Sequence, residues 1–387
     1  MASTQVVWLS YAPVAPAVSV EFGVSEGDVG LLAVLMPIFL VLLGLPAGRW
    51  LDRRFGATMV VGIALTAAGA LVKAIEYDNY TYALVGQLLC AIGFPLLVTA
   101  TTKVPARFLP PEQRVLAISL VMGAQLLGIL LSSATGPWLY GRGGLEVLVW
   151  THAAFALIAS AAMLGSLTIK PRPTDPAVVV PRINLLKNRQ LWLLAGQVFV
   201  GMGLFNALVT WLESLQSGLG NPGLGGPMVS LMTIAGIAGA AIVPSIVVAR
   251  NKRRTALIAI AAGSLVMTSL MLITREPVIL LLMSAVLGFI LNSGLPIVFD
   301  WSERLVGKDN AGAAAAFILV IGNLGGVLYG MAVQILIGSP HLAILILTIL
   351  VLPWILFARM QTSEATGANG TAESSVADIE VAPSESM

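Results

Sequence analysis

Trp8 and Tyr11, in the stretch "VVWLSYAPVAPAV", stand one helical turn apart on a single face, close to two prolines that loosen a helix. Their π faces can stack on a ring or hold an organic cation. Farther along, uncharged amides interrupt apolar sequence: Gln125, Asn206, Asn292 with Ser293 beside it, and Asn323. An amide in hydrocarbon must bond to a neighbouring helix or face water, because an unpartnered one is costly. These side chains are the candidate substrate contacts, and the chemistry they offer is non-covalent recognition. The plainer alternative for each amide is an interhelical hydrogen bond, worth about 1 kcal/mol, and for Trp8 an interfacial position.

No carboxylate falls at the centre of an apolar run. Glu213, in "NALVTWLESLQ", comes nearest and is the candidate for proton coupling, against the plainer reading of a rim residue facing water. His152 is a weaker candidate, and transport without ion coupling stays open. Cys90 is the single cysteine, and His152 and His341 are far apart, so no disulfide, metal site or cofactor is expected. A Gly-x-x-x-x-Gly-Lys-Ser/Thr loop is missing, which argues against a nucleotide-driven pump. No cluster of His, Asp, Glu or Cys lies inside an apolar run, which argues against a membrane enzyme. Nucleic acid is not an expected partner, and polar rings of the kind that line a selective channel are not indicated.

These residues need elements that hold them in lipid. The chain is 57% hydrophobic and 10% charged, against roughly a quarter charged in soluble domains. Continuous apolar runs of about 20 residues select spanning helices over strands. Breaking the runs at charge clusters and Pro/Gly turns predicts twelve spans, near 5–22, 29–49, 57–76, 80–103, 113–137, 146–168, 191–214, 227–249, 255–273, 277–300, 310–336 and 340–358. The first is read as a retained span and not as a cleaved signal peptide. Of the 21 lysines and arginines, 18 fall on one side and 3, Lys73, Arg142 and Arg275, on the other. By the positive-inside rule both termini are cytoplasmic and the chain sits in the cytoplasmic membrane, with the lipid bilayer as its surroundings. The segment "KPRPTDPAVVVPRINLLKNRQ" divides the spans six and six, either as a plain linker or with a short surface helix over "INLLKNRQ". The expectation is an all-α membrane protein acting as a monomer. It has an N-terminal bundle over 1–168, a central loop over 169–190, a C-terminal bundle over 191–360 and a disordered acidic tail over 361–387.

The halves repeat. "LPAGRWLDRRFGATMVV" matches "VPSIVVARNKRRTALIA", with Pro46 facing Pro244 at an offset of 198. "VMGAQLLGIL" matches "VIGNLGGVLYG", with Gly123 facing Gly322 at an offset of 199, so Gln125 and Asn323 occupy nearly equivalent places. Twelve spans, both ends on the basic side, a central loop and "GRWLDRRFG" after the second span together resemble the major facilitator superfamily, over the whole chain except the tail. The resemblance implies two pseudo-symmetric six-helix bundles with the solute pathway between them. The family pattern at this loop, Gly-x-Leu-x-Asp-Arg-x-Gly, is met by Gly48, Asp52 and Arg53, while Trp50 replaces the leucine and Gly56 comes one residue late. As the resemblance implies, Gly48 lets a neighbouring helix approach and Asp52 caps or pairs with the start of the eleventh span. "WLSY", with the central glutamine of "GAQLLG", is similar to the facilitator group that carries choline and has been linked to haem. The fourth span lacks the interior arginine of many proton-coupled members, and "TGPWLYG" lacks the Gly-Gly pair of the antiporter motif, which counts against a standard drug/proton antiporter.

At the inner ends of the fourth and tenth spans the repeat offset sets Lys103 and Arg107 opposite Asp300 and Glu303. These are expected to pair across the halves when the cytoplasmic side closes. The expected function is a secondary active or facilitative transporter, symporter or uniporter, that moves a small neutral, zwitterionic or cationic organic solute by alternating access. The rivals are a transporter-like sensor or scaffold that binds without moving solute, and a proton-coupled multidrug efflux carrier.

Overall fold

The structure is a computed structural model that describes residues 1–169, 187–307 and 310–361. In chain order its helices are α1 (Ala2–Trp8), α2 (Ala15–Phe22), α3 (Glu26–Arg53), α4 (Phe55–Ile75), α5 (Tyr80–Val98), α6 (Ala100–Phe108) and α7 (Pro111–Ser166) in the first half. The second half holds α8 (Arg189–Gly218), α9 (Gly225–Ala249), α10 (Arg253–Ile273), α11 (Pro277–Val306), α12 (Ala311–Leu336), α13 (Pro340–Ile349) and α14 (Leu352–Met360). Among the described residues 10 helical runs are long and apolar enough to cross a membrane. One of them, α7, contains two spans, because Gly143 and Gly144 leave helical geometry inside it, Gly144 at φ 65°. Glycine adopts that left-handed conformation without a Cβ clash, so the chain turns there. With this doubled helix and a broken first span, the twelve expected spans are accounted for.

The helix starts follow local chemistry. Ser25 and Asp28 form a capping box at α3, and the side-chain oxygens of Asn79 and Asn188 accept from the first N–H groups of α5 and α8. Asn188 starts α8 at Arg189, so "INLLKNRQ" yields its last residues to the seventh span. The rest of that stretch, most of the central loop and the acidic tail lie outside the described residues. The first span departs from a continuous helix: α1 ends at Trp8, a 3-10 turn covers Ala12–Val14, and α2 begins at Ala15. Pro13 and Pro16 lack the N–H groups that would reach back one turn, and their rings crowd that turn.

Small residues bring helix backbones together where apolar burial supplies no difference between lipid and protein. A Cβ on Gly69 of α4 would stand 2.4 Å from the carbonyl oxygen of Gly86 on α5, and one on Gly325 of α12 would stand 2.0 Å from that of Phe199 on α8. Between the halves, α3 packs on α12 and α7 on α9. The hydrogen bonds that cross between halves among the described residues lie at one end. Gln334 donates to the Gly27 carbonyl at 3.2 Å, and Ser230 donates to the Ser133 hydroxyl at 3.1 Å. At the other end, where the basic loops gather, Gly48, Gly123 and Gly312 have nothing within 4 Å of where a Cβ would stand. Leu45 on α3, Leu120 on α7 and Ile246 on α9 are exposed there. Among the described residues the close contacts between the halves lie away from the basic face, and we infer from their lack toward it a vestibule between the halves at that face.

Candidate functional site

The break in the first span frees carbonyls that a continuous helix would have used. Side chains from α4, α5 and α7 take them up. Lys73 donates to the Val7 carbonyl at 2.8 Å, Gln87 to the Trp8 carbonyl at 3.4 Å, and Ser132 to the Leu9 carbonyl at 2.9 Å. Lys73 also donates to Gln87 Oε1, and its Nζ lies 5.3 Å from the centre of the Tyr11 ring. The lysine stem fits because a Cβ on Gly86 would fall 2.6 Å from Lys73 Cγ. His152 of α7 meets the Ser10 hydroxyl through Nδ1 at 3.0 Å. Lys73 is 1% exposed and His152 3%. This corrects the assignment of Lys73 to the loops of the less basic side: the residue is near the end of α4, but its head turns into the bundle. An isolated lysine inside an apolar run is the signal by which the sequence could have singled it out.

Trp8 and Tyr11 are both buried beside this cluster, and neither ring faces the vestibule. The Trp8 indole N–H donates to the Ala33 carbonyl at 2.6 Å, tying the first span to α3. Tyr11 packs edge-on against Phe22 at 5.6 Å. Burial follows from the break, which turns this segment toward α4, α5 and α7.

Glu213 is buried, not at a water-facing rim. Its Oε1 accepts from the Gly223 N–H at 2.7 Å, and its Oε2 from the Gly225 and Gly226 N–H groups at 2.8 and 3.4 Å. A carboxylate on the open N–H groups at the start of α9 makes charge-assisted bonds and meets the positive end of the helix dipole. The helix start it secures is part of the closure, since a Cβ on Gly226 would lie 3.0 Å from the Ser133 carbonyl oxygen and 3.1 Å from Pro137. Trp211 of α8 covers Gly30 of α3 so closely that a Cβ there would overlap the indole at 1.7 Å. A void of about 10 Å³ remains between the first span, α7, α8 and α9, room for one water at most. The end away from the basic face is shut.

The amides divide by role. Asn206 of α8 presses its Nδ2 on Gly326 of α12, where a Cβ would be 2.4 Å away. Asn292 of α11 sits in the same way on Gly236 of α9, at 2.5 Å, and donates to the Gly288 carbonyl at 3.2 Å. Both occupy helix crossings inside the second half. Gln125 of α7 and Asn323 of α12 remain partly exposed. Gln125 accepts from Gln5 at 3.4 Å, and Asn323 donates to the Leu319 carbonyl of its own helix at 2.8 Å.

The charged residues at the basic face pair within halves. Lys103 bonds to Asp52 and to the Gly48 carbonyl, the latter at 3.0 Å. Arg253 holds Asp300, with Arg304 at 3.5 Å from the same oxygen. Arg107 lies over the Phe55 ring at 4.8 Å, and Arg53 and Glu303 are exposed. The pairings expected across the halves, of Lys103 or Arg107 with Asp300 or Glu303 when the cytoplasmic side closes and of Asp52 with the start of the eleventh span, are not made in this arrangement. With the halves parted at this face, each acid finds its base in its own bundle. Gly48 meets no neighbouring helix and contributes its carbonyl instead. The two ties are counterparts with the charges exchanged: the acid ends α3 and the base is on α6 in the first half, while the base opens α10 and the acid is on α11 in the second.

Two bundles that repeat one another, meet at one face and part at the other have a counterpart among protein families. Residues 1–330 match the model of the Major Facilitator Superfamily. The chain belongs to that superfamily. Similar proteins include solute carrier family 49 member A3 of Danio rerio, 24% identical over 366 residues that cover 88% of this chain and 77% of that one. A gallate transporter of Pseudomonas putida is 25% identical, with 88% and 84% covered. Among solved structures, a bacterial homolog of the human lysosomal transporter Spinster, inward-facing and unoccupied, aligns with a TM-score of 0.72 over 92% of this chain and 93% of that one. At 13% identity that likeness is one of fold. As a superfamily member the protein is a multi-pass membrane transporter of solutes that works by alternating access.

Proposed function

We propose that the protein carries a small neutral, zwitterionic or cationic organic solute across the cytoplasmic membrane as a monomer, and that the vestibule opens to the cytoplasm. The basic loops lie at the open face, and the positive-inside rule assigns such loops to the cytoplasm. The observation that carries the solute class is the chemistry left accessible at mid-span: Gln125 and Asn323 are amides, able to donate and accept without charge. An anion such as gallate would need an unspent positive group, whereas the buried head of Lys73 is already held by Val7 and Gln87. Gln125 and Asn323 are the proposed solute contacts, Asn206 and Asn292 hold helix crossings, and Trp8 and Tyr11 reach solute only after the first span shifts.

A thermal-shift screen of the purified protein against neutral, cationic and anionic solutes, followed by flux of each hit in proteoliposomes, tests this reading. A neutral or cationic hit should stabilise the wild type and be carried, and Gln125→Leu and Asn323→Leu should lose the shift while keeping normal elution. Hits confined to organic anions would sink the proposed solute class. Binding without flux would instead favour a sensor.

A further inference from the structure

Lys73 places a cation inside the first bundle, and neither loop topology nor the solute path accounts for it. Among the described residues no aspartate or glutamate bonds to it. Its partners are neutral: the Val7 carbonyl, Gln87 Oε1 and the face of Tyr11. A neutral amine has N–H donors for both of these oxygens and one lone pair to spare. An ammonium has a third N–H, which here meets the aromatic ring. The site therefore serves either protonation state, with the carbonyls at the end of α1 favouring the charged one. The titratable groups around it are Tyr11 on the first span, Cys90 on α5 and His152 on α7, and no charged group of α3 bonds to it. Among the described residues Tyr11 Oη and His152 Nε2 are buried without partners, so the pocket has polar capacity that these residues do not use.

The second observation is mechanical. The residues that follow the acceptor carbonyls, Leu9, Ala12 and Pro13, form the wall of the shut end against Gly226 and Glu213. Opening that end must displace the break in the first span, and with it the acceptors of Lys73. Occupancy of the nitrogen by a proton and closure of that end are then linked equilibria. We propose that Lys73 is the proton-binding site of this transporter, the ammonium favouring the state shut away from the basic face and the neutral amine releasing it. The inference rests on alternating access. Protonation adds a proton to the lone pair of Nζ and changes no other bond, so the lysine takes the coupling role that the sequence suggested for Glu213.

Spin labels on cysteines placed at Gln113 and Ser245, on exposed basic-face ends of α7 and α9, report the opening of the vestibule in full-length protein with Cys90→Ala. Between about pH 6 and about pH 11, a range that reaches past the ordinary lysine value, the wild-type distance distribution should move toward short distances as pH rises. Lys73→Met should give the short population at every pH, and Lys73→Arg, which keeps its charge, the long one. Elution by size exclusion checks folding, and if the Met variant does not fold the Arg variant decides. A pH response that persists in Lys73→Arg overturns the proposal, and so does a wild-type distribution that does not move. Two populations present but indifferent to pH would remove the proton site and leave the alternating transporter standing.

Discussion

Asp52 and Asp300 are the acids of two counterpart ties in which the charges are exchanged, and they neutralise different partners. Lys103 and Asp52 are 33% and 65% exposed, and an ion pair so open to water contributes about 1 kcal/mol or less. Arg253 is 1% exposed, so its tie to Asp300 is screened by water and salt much less than the open pair, and losing it costs more. Asp300→Asn should therefore lower the thermal unfolding midpoint of the purified protein far more than Asp52→Asn. The Asp52 variant should insert normally and carry solute more slowly, which flux at equal protein density measures. Glu213→Gln replaces an all-acceptor carboxylate by an amide whose NH2 faces backbone N–H groups. The start of α9 should loosen, and a cysteine at Ser230 should react faster with a membrane-impermeant thiol reagent added to the shut face. Unchanged labelling would mean that the cap does not hold the closure. At this scale the sequence singled out Glu213 by its type within an apolar run and Asp52 by its place in the family pattern. What they bind was hidden, because backbone N–H groups of a later helix and a lysine on another helix are not neighbours along the chain.

At the scale of elements, the prolines of the first span are its decisive feature. Pro13→Ala restores an N–H that can bond to the Leu9 carbonyl and compete with Ser132. In an ordinary helix this change stabilises, since proline is the poorest helix former. Here it should destabilise by about 1 kcal/mol, because straightening the span withdraws acceptors from a buried lysine. In Lys73→Met the same substitution should cost less, and additive effects in thermal unfolding would show that the break and the lysine are independent. Gly144→Ala should cost about 1 kcal/mol through its left-handed backbone, read by the same measurement. Span positions were legible because apolar runs and their caps are local. The broken first span was only partly so: its prolines announced a loosened helix, but the side chains that stabilise the freed carbonyls come from α4, α5 and α7.

In the whole molecule the contacts of Gly27 with Gln334, Gly30 with Trp211 and Ser133 with Ser230 define one access state. Cysteines at Gly27 and Gln334, where an added Cβ would lie 3.9 Å from the glutamine Cγ, should cross-link under oxidation in the Cys90→Ala protein. Flux should stop and return on reduction, and undiminished flux in fully cross-linked protein would mean that these ends do not separate during transport. The number of spans, the basic face, the two-fold repeat and the family pattern were determined by sequence alone. Transfer of an apolar run into lipid and retention of a basic loop are properties of each segment taken singly. Only the tertiary structure decided that Lys73 serves a helix break, that Glu213 caps α9, and that Asp52 and Asp300 pair within their own halves. Those partnerships depend on how helices cross and on which face is open, and neither is written into any one segment.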